Sequence, residues 1–184
     1  MELINPNEIG TRISTLIVEA QSKVIIVSPY LGVSEWKKIK VSLERAKKRG
    51  VEITVYYRVI NQKDADFFEQ LDIPIVLVKG LHTKLYLSES EAIVSSMNLY
   101  EPSDLHSIDI AIHYRDQENY DQLYQYFQKF VQVESQTAPQ IYCETIDQLF
   151  EYLEEQVPEH SFKKRSTYIF NQSVKHYELL IDLE

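Results

Sequence analysis

Two cationic side chains, His82 and Lys84, stand one residue apart in GLHTKLYLS, and Asn98 follows sixteen residues after the histidine, at the end of SSMN. These residue types suit a phosphate. Lysine brings charge and several donors, while Ser96 and Asn98 donate hydrogen bonds without adding charge. A neutral imidazole can attack phosphorus and hold the group as a phosphohistidine, which splits one hard substitution into two easier steps. A carboxylate bonded to the other ring nitrogen would fix the tautomer. Asp109, an acid in the alternating run SIDIAIHY, is the candidate, because an acid buried in such a strand needs a partner. Ser96 has a competing reading as a turn residue that bonds its own backbone. His106, His113, His160 and His176 have no second lysine at the same spacing and read as non-catalytic.

The elements that must position these groups follow from periodicity. KLYLS and EAIVSS flank the polar SES and read as a hairpin. Strand alternation would put His82 and Lys84 on one face, and the return strand would bring Ser96 and Asn98 beside them. Upstream, residues 7–21 read as an amphipathic helix, KVIIVSPY as a buried strand opening into a loop, and VEITVYYR and IPIVLV as further strands. A basic helix begins near Ser34, with Gly50 placed to stop it, and another helix covers 64–71. Residues 119–133 form a Tyr/Phe-rich amphipathic helix. The early βαβαβ order predicts a mixed β-sheet sandwiched between helices, an α/β fold. Residues 1–135 make that domain. Residues 136–184 form a C-terminal helical extension with an Ile146/Leu149/Phe150/Leu153 stripe, and the sequence leaves its role open, with docking and oligomerisation as the alternatives.

Composition sets the outer limits. The 184 residues suffice for one domain with a sizeable core. Cys143 is the only cysteine, which excludes an internal disulfide framework and a cysteine-built zinc site. No stretch approaches the ~20 apolar residues of a membrane-spanning helix, the N-terminus lacks the features of a secretion signal, and a cytoplasmic location is expected. The net charge of −9 is uneven: residues 1–60 hold ten Lys/Arg against six Asp/Glu, and residues 61–184 hold nine against 22. Much of the positive charge sits in EWKKIKVSLERAKKRG, where Lys37 and Lys38 are candidate contacts to a polyanion. The competing reading is the wet side of a helix packed through Trp36, Ile39, Leu43 and Ala46. Tyr30, in SPYLG, is expected at the mouth of the site or in the core.

The combination of His82-Thr-Lys84, Glu89 and Ser95-Ser96-Met97-Asn98 resembles the HxK(x)4D…GSxN signature of the phospholipase D superfamily. VIIVSPYLG followed by AKKRGVEITVYYR, and the later SIDIAI, resemble the superfamily's flanking segments, so the likeness spans residues 8–133. It implies a phospholipase D-like fold with His82 as nucleophile, Lys84 and Asn98 on the phosphate, Asp109 orienting the histidine, and neither metal nor other cofactor. Three positions depart from the pattern. Glu89 stands for Asp, Asp109 for Glu, and Ser95 for a glycine whose loss would crowd the backbone near a phosphate.

A two-step displacement also needs a group to protonate the leaving oxygen and then activate water. The superfamily pairs two HxK motifs for this, and the chain has one, which implies a homodimer with both copies of His82, Lys84 and Asn98 meeting across a two-fold axis. Short single-motif members resemble nucleases, so the expected function is a metal-independent phosphodiesterase cleaving DNA or RNA, within reach of an ATP-driven translocase partner that relatives suggest. A phospholipid phosphodiesterase or phosphatidyltransferase, and a catalytically weak dimerisation or recognition module, are the alternatives.

Overall fold

The computed structural model describes residues 1–100 and 108–133. Its centre is a seven-stranded mixed sheet in the order β1 (Glu2–Ile4), β9 (Ala111–Tyr114), β7 (Ala92–Ser95), β6 (Leu85–Leu87), β2 (Lys23–Val27), β4 (Glu52–Tyr57), β5 (Ile75–Leu77). β2 lies at the heart of it, parallel to β4 on one side and antiparallel to β6 on the other. β5 extends the parallel half. β7, β9 and β1 extend the antiparallel half. A separate two-stranded pair, β3 (Leu31–Gly32) with β8 (Leu99–Tyr100), runs parallel.

Period-two alternation sorts the sheet into two cores. Val24 and Ile26 of β2, Ile53 and Val55 of β4, Tyr86 of β6 and Ile93 of β7 face one side. There they meet α1 (Ile9–Glu19), α2 (Lys37–Lys48) and α3 (Gln62–Gln70) through Ile13, Ile17, Ile39, Leu43 and Phe68. Val27, Tyr56, Leu85, Leu87 and Ala92 face the other side, under Tyr120, Phe127 and Val131 of α4 (Gln117–Tyr126) and the π-helical turn Phe127–Gln132 that continues it. The expected mixed sheet between helices is what the chain forms. Because both faces are covered, β2 can be a nearly continuous apolar run.

Local chemistry sets the element ends. Asn61 caps α3 by accepting from the Asp64 amide at 3.0 Å, and the buried Asp64 carboxylate accepts from the Ser34 amide at 2.5 Å, tying the loop before α2 to α3. Gly50 ends α2 as expected, with a φ of 84° that side-chain-bearing residues rarely adopt. Several cations of α2 and its C-cap are spent on the fold. Lys38 donates to Thr11, Lys47 to the Asp72 carbonyl, and Arg49 to the carbonyls of Ile17 and Ala20. The chain divides into Met1–Ala138 and Pro139–Glu184. The expected extension over 136–184 lies outside the described residues.

Candidate active site

Strand register gathers the site. Val27 faces Leu85 on one side and Tyr56 on the other. Ser28 and Lys84, the next residues beyond β2 and β6, and Arg58, two past Tyr56 of β4, therefore converge at the carboxyl ends of the parallel strands, where open α/β sheets bind ligands. The Ser95 amide donates to the Lys84 carbonyl at 3.1 Å, and the Ser96 amide to that of Ile110 at 2.9 Å, so Ser96 and Asp109 join the same end.

His82 and Lys84 are neighbours, but by a different route from strand alternation. Leu81–Lys84 is an irregular segment that precedes β6, entered through Gly80 at φ 70°. Leu81 is buried and His82 is exposed. Lys84, only 7% exposed, folds back so that Nζ donates to the His82 carbonyl at 2.8 Å and lies 3.4 Å from His82 Nδ1. Burial chiefly, and then the nearby Arg58 charge, pull the Lys84 ammonium below the usual lysine range, with Asp109 opposing them. Lys84 is thus a cation held in a place that disfavours its charge, ready for an anion to compensate.

The acid and hydroxyl positions differ from expectation. Asp109 precedes β9 and makes no hydrogen bond to His82 within the chain. Its Oδ1 accepts from Ser96 Oγ at 2.5 Å, and its buried Oδ2 has no hydrogen-bond partner. Ser96 Oγ also accepts from the Ile110 amide at 3.1 Å. Its proton is committed to Asp109, so Ser96 brackets the carboxylate and does not offer a donor to a phosphate. Asn98 is half-buried with its Oδ1 unpartnered.

Two departures from the family pattern are accommodated. Ser95 Oγ donates to the Ile110 carbonyl at 2.9 Å and accepts from the Met97 amide at 2.9 Å, so its side chain closes the turn. Glu89 sits in the β6–β7 turn, at the opposite end of the sheet from His82. Its carboxylate receives the amides of Gln21, Ser22 and Lys23 at 3.0, 3.3 and 3.4 Å. Burial works to raise its pKa, but these amides together with Glu89's own amide outweigh it, and the net shift is downward. Glu89 clamps the α1–β2 connection and has no part in the site.

Two supports were missed in the sequence. The fully buried Ser28 Oγ donates to the Tyr30 carbonyl at 2.8 Å and accepts from the Leu99 amide at 2.9 Å. Tyr86, whose phenol burial pushes well up, donates to the Met97 carbonyl at 3.0 Å. Together they pin the Met97–Leu99 segment that carries Asn98. A serine or tyrosine at a strand end has too many roles for spacing alone to reveal this one. Arg58, the last residue of the strand run VEITVYYR, carries no spacing signal of its own. Tyr30 is 43% exposed at the site mouth, with the Arg58 guanidinium over its ring at 4.8 Å. On the far side of His82, Thr83 Oγ1 lies 3.1 Å from the Tyr126 hydroxyl. Lys37 is exposed and no contact joins it to these groups, while Lys38 reaches Thr11.

His113 is buried elsewhere, with Nε2 2.9 Å from Glu91. His106, His160 and His176 lie outside the described residues. Among the described residues, no three His, Cys, Asp or Glu side chains are grouped to hold a metal ion, and no helix is long and apolar enough to cross a membrane.

Comparison with known proteins fits this geometry. The family described as "cardiolipin synthase, PLD-like domain" matches residues 13–131. No curated protein matches the chain. Among solved structures, NucT from Helicobacter pylori is similar at 14% identity and a TM-score of 0.62, covering 71% of this chain and 94% of its own. Nuc from Salmonella typhimurium, described as a phospholipase D family member, is similar at 14% identity and 0.54, covering 64% and 83%. Phosphatidylserine synthase from Haemophilus influenzae is similar at 16% identity and 0.59, covering 71% of this chain but 36% of its own. With the family matched over most of residues 1–133 and the HxK pair placed at the carboxyl end of the sheet, the chain belongs to the phospholipase D-like family.

Proposed function

We propose that the chain is a metal-independent phosphodiesterase that cleaves DNA or RNA through a phosphohistidine on His82, at a site completed by a second copy. The carrying observation is the buried Lys84 ammonium folded against His82, a cation depressed by burial and by Arg58 and only partly offset by Asp109. A phosphodiester brings the missing negative charge to the atom that attacks it. His82 attacks phosphorus, the P–O bond to the leaving group breaks, and the electron pair stays on the leaving oxygen. An imidazole from the second copy protonates that oxygen, then takes a proton from the water that releases His82.

Two features support a second copy. Asn98 Oδ1 and Asp109 Oδ2 are buried acceptors without donors, an arrangement that costs free energy until a donor arrives. Ile108 and Ile110 flank Asp109 at 96% and 60% exposure, an apolar rim beside the site. The nucleic-acid reading draws on the aromatic surface beside Thr83. Tyr126 and Phe130 lie 5.2 Å apart and are exposed, with Lys129 over the Phe130 ring, the pairing of flat rings and cations that suits bases and phosphates. The family's description favours a second reading, transfer or hydrolysis of a phospholipid headgroup.

The test incubates labelled DNA, labelled RNA and phosphatidylcholine vesicles with the protein in EDTA, beside His82→Ala. Nucleic-acid cleavage that persists in EDTA and disappears in the variant is the expected result. Headgroup release instead selects the phospholipid reading, and a strict magnesium requirement overturns the histidine mechanism.

A further inference from the structure

Arg58 uses its charge differently from Arg12, Arg49 and Arg115. Arg12 pairs with Glu2 and Glu8, Arg115 pairs with Glu2 and Glu91, and Arg49 caps carbonyls at the end of α1. Arg58 meets no carboxylate among the described residues. Its guanidinium lies over the Tyr30 ring at 4.8 Å, and Nη2 donates to the Tyr30 hydroxyl. The backbone fixes the pair as well: the Arg58 and Val59 amides both donate to the Pro29 carbonyl, at 3.2 and 2.9 Å. Stacking on an aromatic ring sets the plane of the fork while leaving further donors to point outward. An arginine oriented in this way, uncompensated, beside a second cation, is arranged for an anion.

Its place in the sheet separates it from Lys84. Lys84 leads into β6 and Arg58 leaves β4, with β2 between them. Two strand spacings, about 10 Å, divide their backbones. Lys84 is buried against His82, whereas Tyr30 is 43% exposed beside Arg58. One phosphate at His82 leaves Arg58 and Tyr30 available to the next unit of a chain.

We propose that Arg58 and Tyr30 form a second subsite for a polymeric substrate, the guanidinium holding the phosphate next to the one being cleaved and the exposed ring lying against that nucleotide's base. This rests on the nuclease reading above and adds a specificity for chains over isolated diesters. Arg58 would supply charge, and the ring would supply stacking that every base can satisfy.

Two measurements test it. In the first, Arg58→Ala and Tyr30→Ala are compared with the wild-type protein on an oligonucleotide and on bis(p-nitrophenyl) phosphate, a diester with one phosphate. The oligonucleotide KM should rise by about tenfold, a loss well beyond any change that either variant makes in turnover of the small diester. Tyr30→Phe should keep the ring and most of the affinity. In the second, oligonucleotide binding to His82→Ala is followed by fluorescence anisotropy against salt. Adding Arg58→Ala should lower the salt slope by ~0.7, one phosphate contact on a single strand, while Arg58→Lys keeps the slope. Equal losses on both substrates would place Arg58 at the reacting phosphate and overturn the subsite. An unchanged slope together with an unchanged KM would also overturn it. A wild-type protein that turns over the small diester but neither binds nor cuts the oligonucleotide refutes the nuclease reading itself, and the subsite with it.

Discussion

Two clusters on one sheet each combine a histidine, a carboxylate and a cation, and they are built to opposite standards. At the β9 edge, His113 is 3% exposed, its Nε2 meets Glu91, and Glu91 also receives Arg115, which reaches Glu2. At the carboxyl end of the sheet, His82 is exposed, Lys84 is buried without a carboxylate bonded to it, and Asp109 keeps one oxygen unpartnered. The first cluster pairs its charges with one another, with His113 Nδ1 left as its unpartnered atom, and fastens β1 and β7 to β9. The second holds its charges apart. Satisfied titratable groups stabilise a fold, whereas groups left wanting at a strand end mark where a ligand completes them.

The largest effect that would break this contrast is on turnover. His82→Ala should lower phosphodiester cleavage by about a thousandfold or more while leaving Tm within about one degree, since an exposed side chain contributes little to stability. Equal losses of activity and Tm would erase the distinction. Lys84→Met sharpens it: cleavage should fall by about 10²–10³-fold, the scale for losing one group that stabilises the transition state. Its Tm should rise by ~2–4 °C, because an apolar chain of similar volume replaces a poorly compensated buried charge.

His113→Ala should do the reverse. Loss of its packing and of the Glu91 bond should cost about 2 kcal/mol, seen as a lower urea midpoint, with kcat retained. The pH dependence follows from the direction of the His113 shift. Burial chiefly, and then Arg115, hold its pKa below the ordinary histidine value, with Glu91 and Glu2 opposing. A depressed folded pKa means that its contribution is fully present above the unfolded value of about 6.5 and is lost as pH falls through the folded one. Urea titrations from pH 8 to 5 should show stability falling with acid, and His113→Gln should flatten that slope. Arg115→Ala, at an exposed ion pair, should change stability by about 0.5 kcal/mol or less.

The sequence made the layers legible because burial on both faces of β2, β4 and β6 demands apolar runs, and the helices between them carry clear 3.6-residue stripes. His82 and Lys84 were legible as neighbours, whereas the Asp109 carboxylate is bonded by Ser96 rather than by His82. Less legible was what depends on long-range register. β1, three residues long, and the two-residue pair of β3 and β8 carry too little pattern to stand out from loop. SIDIAIHY reads as one strand; among its described residues the strand covers Ala111–Tyr114, and Ile108 and Ile110 before it are exposed. The partnership of Ser96 with Asp109 and that of Arg58 with Tyr30 each join separate strands. Only the folded sheet brings such residues together.

The most direct measurement of the central claim is to trap the covalent intermediate. Protein mixed with an oligonucleotide in EDTA is quenched in alkali, where a phosphohistidine survives, and its peptides are weighed by mass spectrometry. The account predicts a phosphoryl-linked mass on the peptide carrying His82, absent in His82→Ala. Oligonucleotide cleavage under the same conditions with no adduct on His82, or with the adduct on another residue, would contradict it.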